Sequence, residues 1–162
     1  MTIEIRQANI DDVHALVELQ IGLFDEDAGT HDPTVDVNWP RRAGADDVHG
    51  LLGNADAVVL VANAGAGDPH PVGFLVGYLQ PTSDTRLTEL VAVLRSLYIH
   101  PEHRRCGAAS KLVSAFVDWA TTRGCDEVHV DHYTANEAAA ALYQRLGFAA
   151  RSTSRARTLR DA

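Results

Sequence analysis

The sequence predicts an α/β (α+β) domain in which helices cover both faces of a central mixed sheet. Three observations predict it. Apolar stretches of alternating or continuous strand type and stretches of helical spacing follow one another in the order β-α-α-β-β-β-α-β-α-β. The chain of 162 residues, 46% hydrophobic and 22% charged, is long enough for one full core. Its best helix pattern, Gly107–Thr122, directly follows an apolar strand pattern. A single domain over residues 1–162 is expected, since no repeat, low-complexity tract or composition break divides the chain.

Ile3 and Ile5 alternate with polar neighbours in Thr2–Ala8, which reads as a strand. Asn9 is placed to cap the next segment, with Asp11 and Asp12 in the first turn. Val13, Leu16, Val17, Ile21 and Phe24 keep helical spacing. From Phe24 to Pro40 periodicity fades and turn formers gather, so a loop is expected there. A short second helix is expected over Asp46–Leu52. Ala57–Ala62 and Val72–Leu79 form a hairpin about the turn Gly65–Pro69, although Gly73 and Gly77 weaken the second strand. Leu87–Ile99 holds a long strand with room for a bulge.

In Gly107–Thr122 the residues Leu112, Val113, Phe116, Trp119 and Ala120 make one apolar stripe, and Gly124 stands where a closing glycine belongs. Asp126–His132 is a strand. Asn136–Leu146 is a helix ended by Gly147. Phe148 to about Leu159 is expected to be a last strand or hairpin arm.

The segment LYIHPEHRRCGAASKL, Leu97–Leu112, carries the most chemistry. A strand ends at a proline turn, two arginines and a glycine come next, and a helix begins. Amide groups at a helix start lack intrahelical partners and carry the positive end of the helix dipole, so they suit a phosphate or pyrophosphate. Gly107 admits a close ligand, and Ala108 and Ala109 leave room for it. The spacing is neither GxxxxGK[ST] nor GxGxxG, which excludes a Walker A loop and a Rossmann fingerprint.

Arg104-Arg105-Cys106-Gly107-Ala108-Ala109 resembles the R/Q-x-x-G-x-G/A acetyl-CoA loop of the GNAT N-acetyltransferase superfamily. Asn136–Phe148, NEAAAALYQRLGF, is similar to a second block of that family. The resemblance implies a GNAT fold: a mixed, mostly antiparallel sheet with a V-shaped splay between the strand ending at Ile99 and the strand Asp126–His132. It implies acetyl-CoA as cosubstrate, with the pantetheine arm in the splay and the pyrophosphate on Arg104, Arg105, Cys106, Gly107, Ala108 and Ala109. Backbone groups of Leu97, Tyr98 and Ile99 would face the thioester and the pantetheine amides, and Asn136 would contact the arm while also capping its helix. Tyr143, two helical turns from Asn136, would protonate the leaving thiolate.

No carboxylate stands in Leu90–Ser96, where the family often carries its base; Val93 and Arg95 occupy the relevant stretch, and Glu89 lies upstream. Asp131 and His132 are the substitutes, with a water relay as the alternative. The family's acceptor wall maps onto the segment after the first helix, so Phe24, Asp25, Glu26, Asp27 and Trp39 are the candidate acceptor residues. A solvated acidic loop explains the same carboxylates equally well. His31 and Asp32 share that ambiguity.

The resemblance thus implies an N-acetyltransferase acting on a primary amine of a small molecule. Acetylation of a protein N-terminus or lysine, and an idle acyl-CoA-binding module, stay open beside it. A homodimer rests on analogy alone. The formal charge of −8 argues against nucleic acid, and no apolar run reaches the ~20 residues of a membrane span. The first residues lack a signal-peptide pattern, so a cytoplasmic location is expected. No metal is expected: His100 and His103 are without a third ligand of convincing spacing. His129 and His132 point to opposite faces of their strand. Cys106 and Cys125 are expected as free thiols, with a catalytic role for Cys106 the poorer reading.

Overall fold

A computed structural model describes residues 2–160. Five strands form one sheet in the order β1-β2-β3-β4-β5: Ile3–Gln7, Ala57–Ala64, Pro71–Pro81, Leu90–Ile99 and Glu127–Val130. The first four run antiparallel to their neighbours, and β4 and β5 run parallel. The sheet is therefore mixed and mostly antiparallel, as expected.

Two layers of helix cover it. On one face α1 (Val13–Leu23) and α3 (Trp39–Leu52) enclose Leu16, Leu19, Val48, Val59, Val61, Phe74 and Val76. On the other, α4 (Ala108–Thr122) and α5 (Glu137–Arg145) pack with Val58, Leu60, Ala62, Leu75, Leu112 and Phe116. Alternate residues of β2 and β3 thus feed opposite cores, which explains why their sequences read as continuous apolar runs. The two glycines of β3 are cut to fit neighbours. A Cβ on Gly77 would collide with the buried Phe116 ring, and one on Gly73 with Ile99.

Asn9 caps the chain after β1 in a full capping box with Asp12. Arg6 donates both guanidinium nitrogens to the buried Asp12 carboxylate at 2.8 Å. Burial pushes that carboxyl up, but the Arg6 and Asn9 hydrogen bonds more than offset it, and its pKa lies below the ordinary value.

Four expectations need correction. The first helix does not stop at Phe24: it runs through a π-type turn, Phe24–Ala28, and one last turn, α2 (Gly29–His31). After Phe24 the stripe continues through the polar Asp27 and His31, so a continuing helix shows no apolar periodicity. Next, α3 starts at Trp39 rather than Asp46, with Pro40 in the first turn, where its missing N–H costs nothing. Strand β5 ends at Val130, which leaves Asp131 and His132 in the loop beyond it. Finally, residues 148–160 form no strand. Phe148 packs against the core at the end of α5, but beyond it the tail has no apolar face to bury: Leu159 is exposed, and Arg151 reaches Glu127 of β5 at 2.5 Å.

Two features of β4 position the site. Its register against β3 passes from Val76↔Ser96 to Gly77↔Leu94, so Arg95 is a bulged extra residue. Its pairing with β5 covers Val91–Leu94 only, ending at Leu94↔Val130. Beyond that point the strands part, and Ser96–Ile99 pair with β3 alone.

Candidate active site

The end of β4 leads through a 3-10 turn, Pro101–His103, into the segment before α4. Two residues there have left-handed backbones, Arg105 at φ +62° and Gly107 at φ +82°. For a side-chain-bearing residue such as Arg105 this costs about 1–2 kcal/mol, the kind of local strain that gathers at ligand-binding loops. Gly107 is the N-cap of α4, whose first amides lack intrahelical partners. A side chain on Gly107 would meet open space, so it is the backbone conformation that demands glycine. Ala108 is buried beneath the helix start. The Cys106 thiol donates to the His103 carbonyl at 2.8 Å, and both cysteines are free. Lys111, in the first turn of α4, reaches the Ile3 carbonyl at 3.0 Å.

The side chain of Arg104 is already engaged. Its guanidinium holds both oxygens of Glu26 at 2.7 Å, its Nε donates to the Ile99 carbonyl at 2.9 Å, and it lies over the Tyr98 ring. The ion pair holds the Glu26 carboxyl below its ordinary pKa. Tyr98 and Ile99 turn their side chains into the two cores, which leaves only main chain from them for a ligand.

Where β4 and β5 part, a cavity of about 670 Å³ opens between α1, the π-type turn, the start of α3 and α5. Phe24 and Trp39 stack on each other at 5.7 Å and, with Leu23 and Val35, make one apolar wall. Leu97, Asp131, His132, Asn136 and Tyr143 line the opposite side. The structure thus brings Phe24, Asp27, Trp39, Leu97, Asp131, His132, Asn136 and Tyr143 of the expected site residues to one cavity and sorts the acidic triplet. Asp27 lines the cavity, Glu26 is taken by Arg104, and the exposed Asp25 faces Arg41 at 3.5 Å outside it.

Asn136 has both ends of its amide occupied. Its Oδ1 accepts from the Ala139 amide, capping α5, and its Nδ2 donates to Asp27 at 2.9 Å. His31 Nε2 lies 3.7 Å from the same carboxylate, and its ring leans on Tyr133. Tyr143 is 7% exposed, stacks on His132 at 5.9 Å and meets Phe148 edge-on. Burial, and then the charge of Asp27, push the Tyr143 hydroxyl up to about 12. Below that pH it is a proton donor.

Sequence reading missed several lining residues: Gln20, Ala28, Val35, Arg95 and Tyr133. Arg95 sits on the bulge and is neutralised by Asp47 at 2.6 Å. Buried Gln20 donates to the same Asp47. A signal for part of this set was present. Gln20, Leu23, Phe24, Asp27, Ala28 and His31 fall at i, i+3, i+4, i+7, i+8 and i+11, one helical stripe, visible once the helix is carried past Phe24. Outside the cavity, Glu102 joins His100 and His103 in a group of three donors within 4.8 Å on the 3-10 turn, a third donor that the spacing of the histidines did not suggest. Among the described residues no helix is long and apolar enough to cross a membrane.

The model of the Acetyltransferase (GNAT) family matches residues 15–148. Human N-acetyltransferase 8 is 40% identical over 46% of this chain and 32% of its own length. An aminoglycoside N(6')-acetyltransferase type 1 of Klebsiella aerogenes is 34% identical over 57% of this chain and 59% of its own length. The chain thus spans between about a third and three fifths of these relatives. A solved protein of Bacillus halodurans superposes with a TM-score of 0.84 at 18% identity, covering 96% of this chain and 99% of that one, a likeness of fold.

Proposed function

The chain belongs to the GNAT acetyltransferase family of acetyl-CoA-dependent N-acetyltransferases, and from that premise we propose that it acetylates the primary amine of a small molecule with an apolar or aromatic body. One observation carries the reading. The opening between β4 and β5 joins a flat apolar wall, Phe24 and Trp39, to a partly buried carboxylate, Asp27, whose charge acts on Tyr143. The other cavity-lining carboxylate is Asp131, and the lining cation Arg95 is spoken for by Asp47. That pattern suits one ammonium on an apolar frame. A polycation would be better matched by several free carboxylates.

Homologues of the family bind CoA or acetyl-CoA. Here the pyrophosphate would rest on the amides of Arg105–Ala109, where the helix dipole and the two left-handed residues turn N–H groups outward. The pantetheine arm would run along the unpaired side of Arg95–Ile99 and bring the thioester to the cavity floor at Leu97.

Asp27 anchors the acceptor ammonium. His132, with its ring on Tyr143, takes the first proton directly or through one water, and Asp131 stands beside it as the second acceptor. The freed amine nitrogen attacks the thioester carbon. The developing oxyanion draws on a backbone N–H at the end of β4. As the C–N bond forms, the nitrogen sheds its second proton to solvent. Collapse breaks the C–S bond, and Tyr143, protonated below about pH 12, gives its proton to the thiolate. Amide and free CoA leave, Tyr143 regains a proton from water, and His132 gives its proton up to water.

The test is release of free thiol from acetyl-CoA across a panel of arylalkyl monoamines, aminoglycosides and peptide N-termini. The proposal expects saturable release with arylalkyl monoamines. Turnover confined to aminoglycosides or to peptides would replace this acceptor class, and tight CoA binding without turnover of any amine would leave an acyl-CoA-binding module.

A further inference from the structure

We infer that Arg104 is a positioning residue that fastens the acceptor wall to the acyl-CoA loop, so that filling the loop and shaping the cavity are energetically linked. The inference rests on the functional reading above for what the loop and the cavity hold. It goes beyond that reading in what joins them.

Arg104 is the first residue after the 3-10 turn and directly precedes the amides on which the pyrophosphate would rest. Its side chain leaves that segment and reaches Glu26, 78 residues earlier in the chain. The pair is bidentate, at 2.7 Å on both sides, which fixes orientation as well as distance. Nε is held by the Ile99 carbonyl, so the guanidinium is tied to the end of β4 also. Beneath it lies Tyr98, 9% exposed, and that ring has no room to move: a Cβ on Gly22 would stand 2.6 Å from its hydroxyl. Arg104 is therefore seated on a buried ring, with three of its five N–H donors committed to Glu26 and Ile99.

Glu26 sits in the π-type turn between Phe24 and Asp27. Both of those line the cavity, one as apolar wall and one as carboxylate. A five-residue turn held at its middle by Arg104 and at Asp27 by Asn136 has its two cavity-facing side chains set from outside. When an anion orders Arg104–Ala109, it orders the group that holds this turn. The magnitude of the pair argues for positioning over global stability. Its side chains are 39% and 47% exposed, and ion pairs of that kind are typically worth about 1 kcal/mol or less. Linkage is reciprocal: if CoA firms the acceptor wall, an acceptor on that wall tightens CoA.

The test uses CoA itself on the full chain and follows hydrogen exchange in residues 24–31. In the wild type, saturating CoA slows exchange there by about fivefold or more, the lower end of typical site-to-site coupling. In Arg104→Met the backbone amides of the loop remain, CoA still binds, and the slowing at 24–31 is lost. A merely structural role would raise exchange equally with and without CoA. Glu26→Gln breaks the same pair from the other side without touching the loop, and decides the matter should Arg104→Met fold or bind poorly. The charge swap Glu26→Arg with Arg104→Glu restores part of the slowing. Slowing that persists in Glu26→Gln, or wild-type protein that binds CoA with 24–31 unaffected, overturns the inference. Wild-type protein that does not bind CoA overturns the functional reading instead.

Discussion

Replacing Asp27 by Asn keeps the shape of the side chain and removes its charge, which isolates the role proposed for it as ammonium anchor. The gross Coulomb attraction between an ammonium and a carboxylate 4 Å apart is about 4 kcal/mol at an effective dielectric constant of about 20. Much of that is lost to desolvation, and hydrogen bonds to charged groups contribute about 1.5–3 kcal/mol net. The Asp27 side chain is 29% exposed and already shared with Asn136. We therefore expect the lower half of that range, a rise in acceptor KM of about 10- to 40-fold at roughly 1.4 kcal/mol per decade. Asp25→Asn is the control. That carboxylate is 51% exposed, faces Arg41 and does not line the cavity, so KM should change less than about twofold, as for a surface substitution. A second readout needs no acceptor. The Asp27 charge helps raise Tyr143 to about 12, so the Tyr143 phenol, followed by ultraviolet absorbance against a Tyr143→Phe reference, should titrate at lower pH in Asp27→Asn. Equal KM effects for Asp25→Asn and Asp27→Asn, or an unmoved Tyr143 titration, would remove Asp27 from the anchoring role.

Four further outcomes are expected from named contacts. Tyr143→Phe should lower kcat by about 10²–10⁴-fold with acetyl-CoA binding little changed, because a general acid is lost; calorimetry beside steady-state rates checks it, and an unchanged kcat would make Tyr143 packing only. Gly107→Glu should abolish CoA binding in a folded protein, through a left-handed backbone cost of about 1–2 kcal/mol and a carboxylate placed where phosphate belongs; retained affinity would sink the assignment. Phe116→Ala should cost about 3–5 kcal/mol in urea unfolding, since the ring is fully buried in the space Gly77 leaves; a cost below about 1 kcal/mol would speak against that packing. Asp12→Asn should lower stability near pH 7, and the gap to wild type should close in acid. Asp12 has a folded pKa below its unfolded one, so its contribution is present above the unfolded value near 4 and fades as pH falls through the folded value; a gap independent of pH from 7 to 2 would rule this out.

The loop and α4 were legible in the sequence because local rules write them. A glycine at a helix start, small residues after it and an apolar stripe are all short-range signals. Tyr143 and the splay were legible through resemblance, since no spacing rule parts two strands. Phe24–His31 was illegible for a specific reason: its helical stripe turns polar at Asp27 and His31, and contacts to Arg104 and Asn136, far along the chain, hold it. The same distance hid the difference among Asp25, Glu26 and Asp27, three adjacent carboxylates whose fates are set by Arg41, Arg104 and Asn136. The early start of α3 was written in Pro40, which marks a first helical turn as well as a loop. The tail after Phe148, expected as a last strand or hairpin arm, has no apolar alternation to support either.

Whether acyl transfer takes place in the opening between β4 and β5 is decided by a crystal structure with CoA bound. The pyrophosphate should lie on the amides of Arg105–Ala109, the pantetheine along Arg95–Ile99, and the sulfur within hydrogen-bond reach of the Tyr143 hydroxyl. CoA seated on the α4 loop with its sulfur directed away from Tyr143 and the Asp27 cavity, or bound elsewhere on the molecule, would move the chemistry out of this opening.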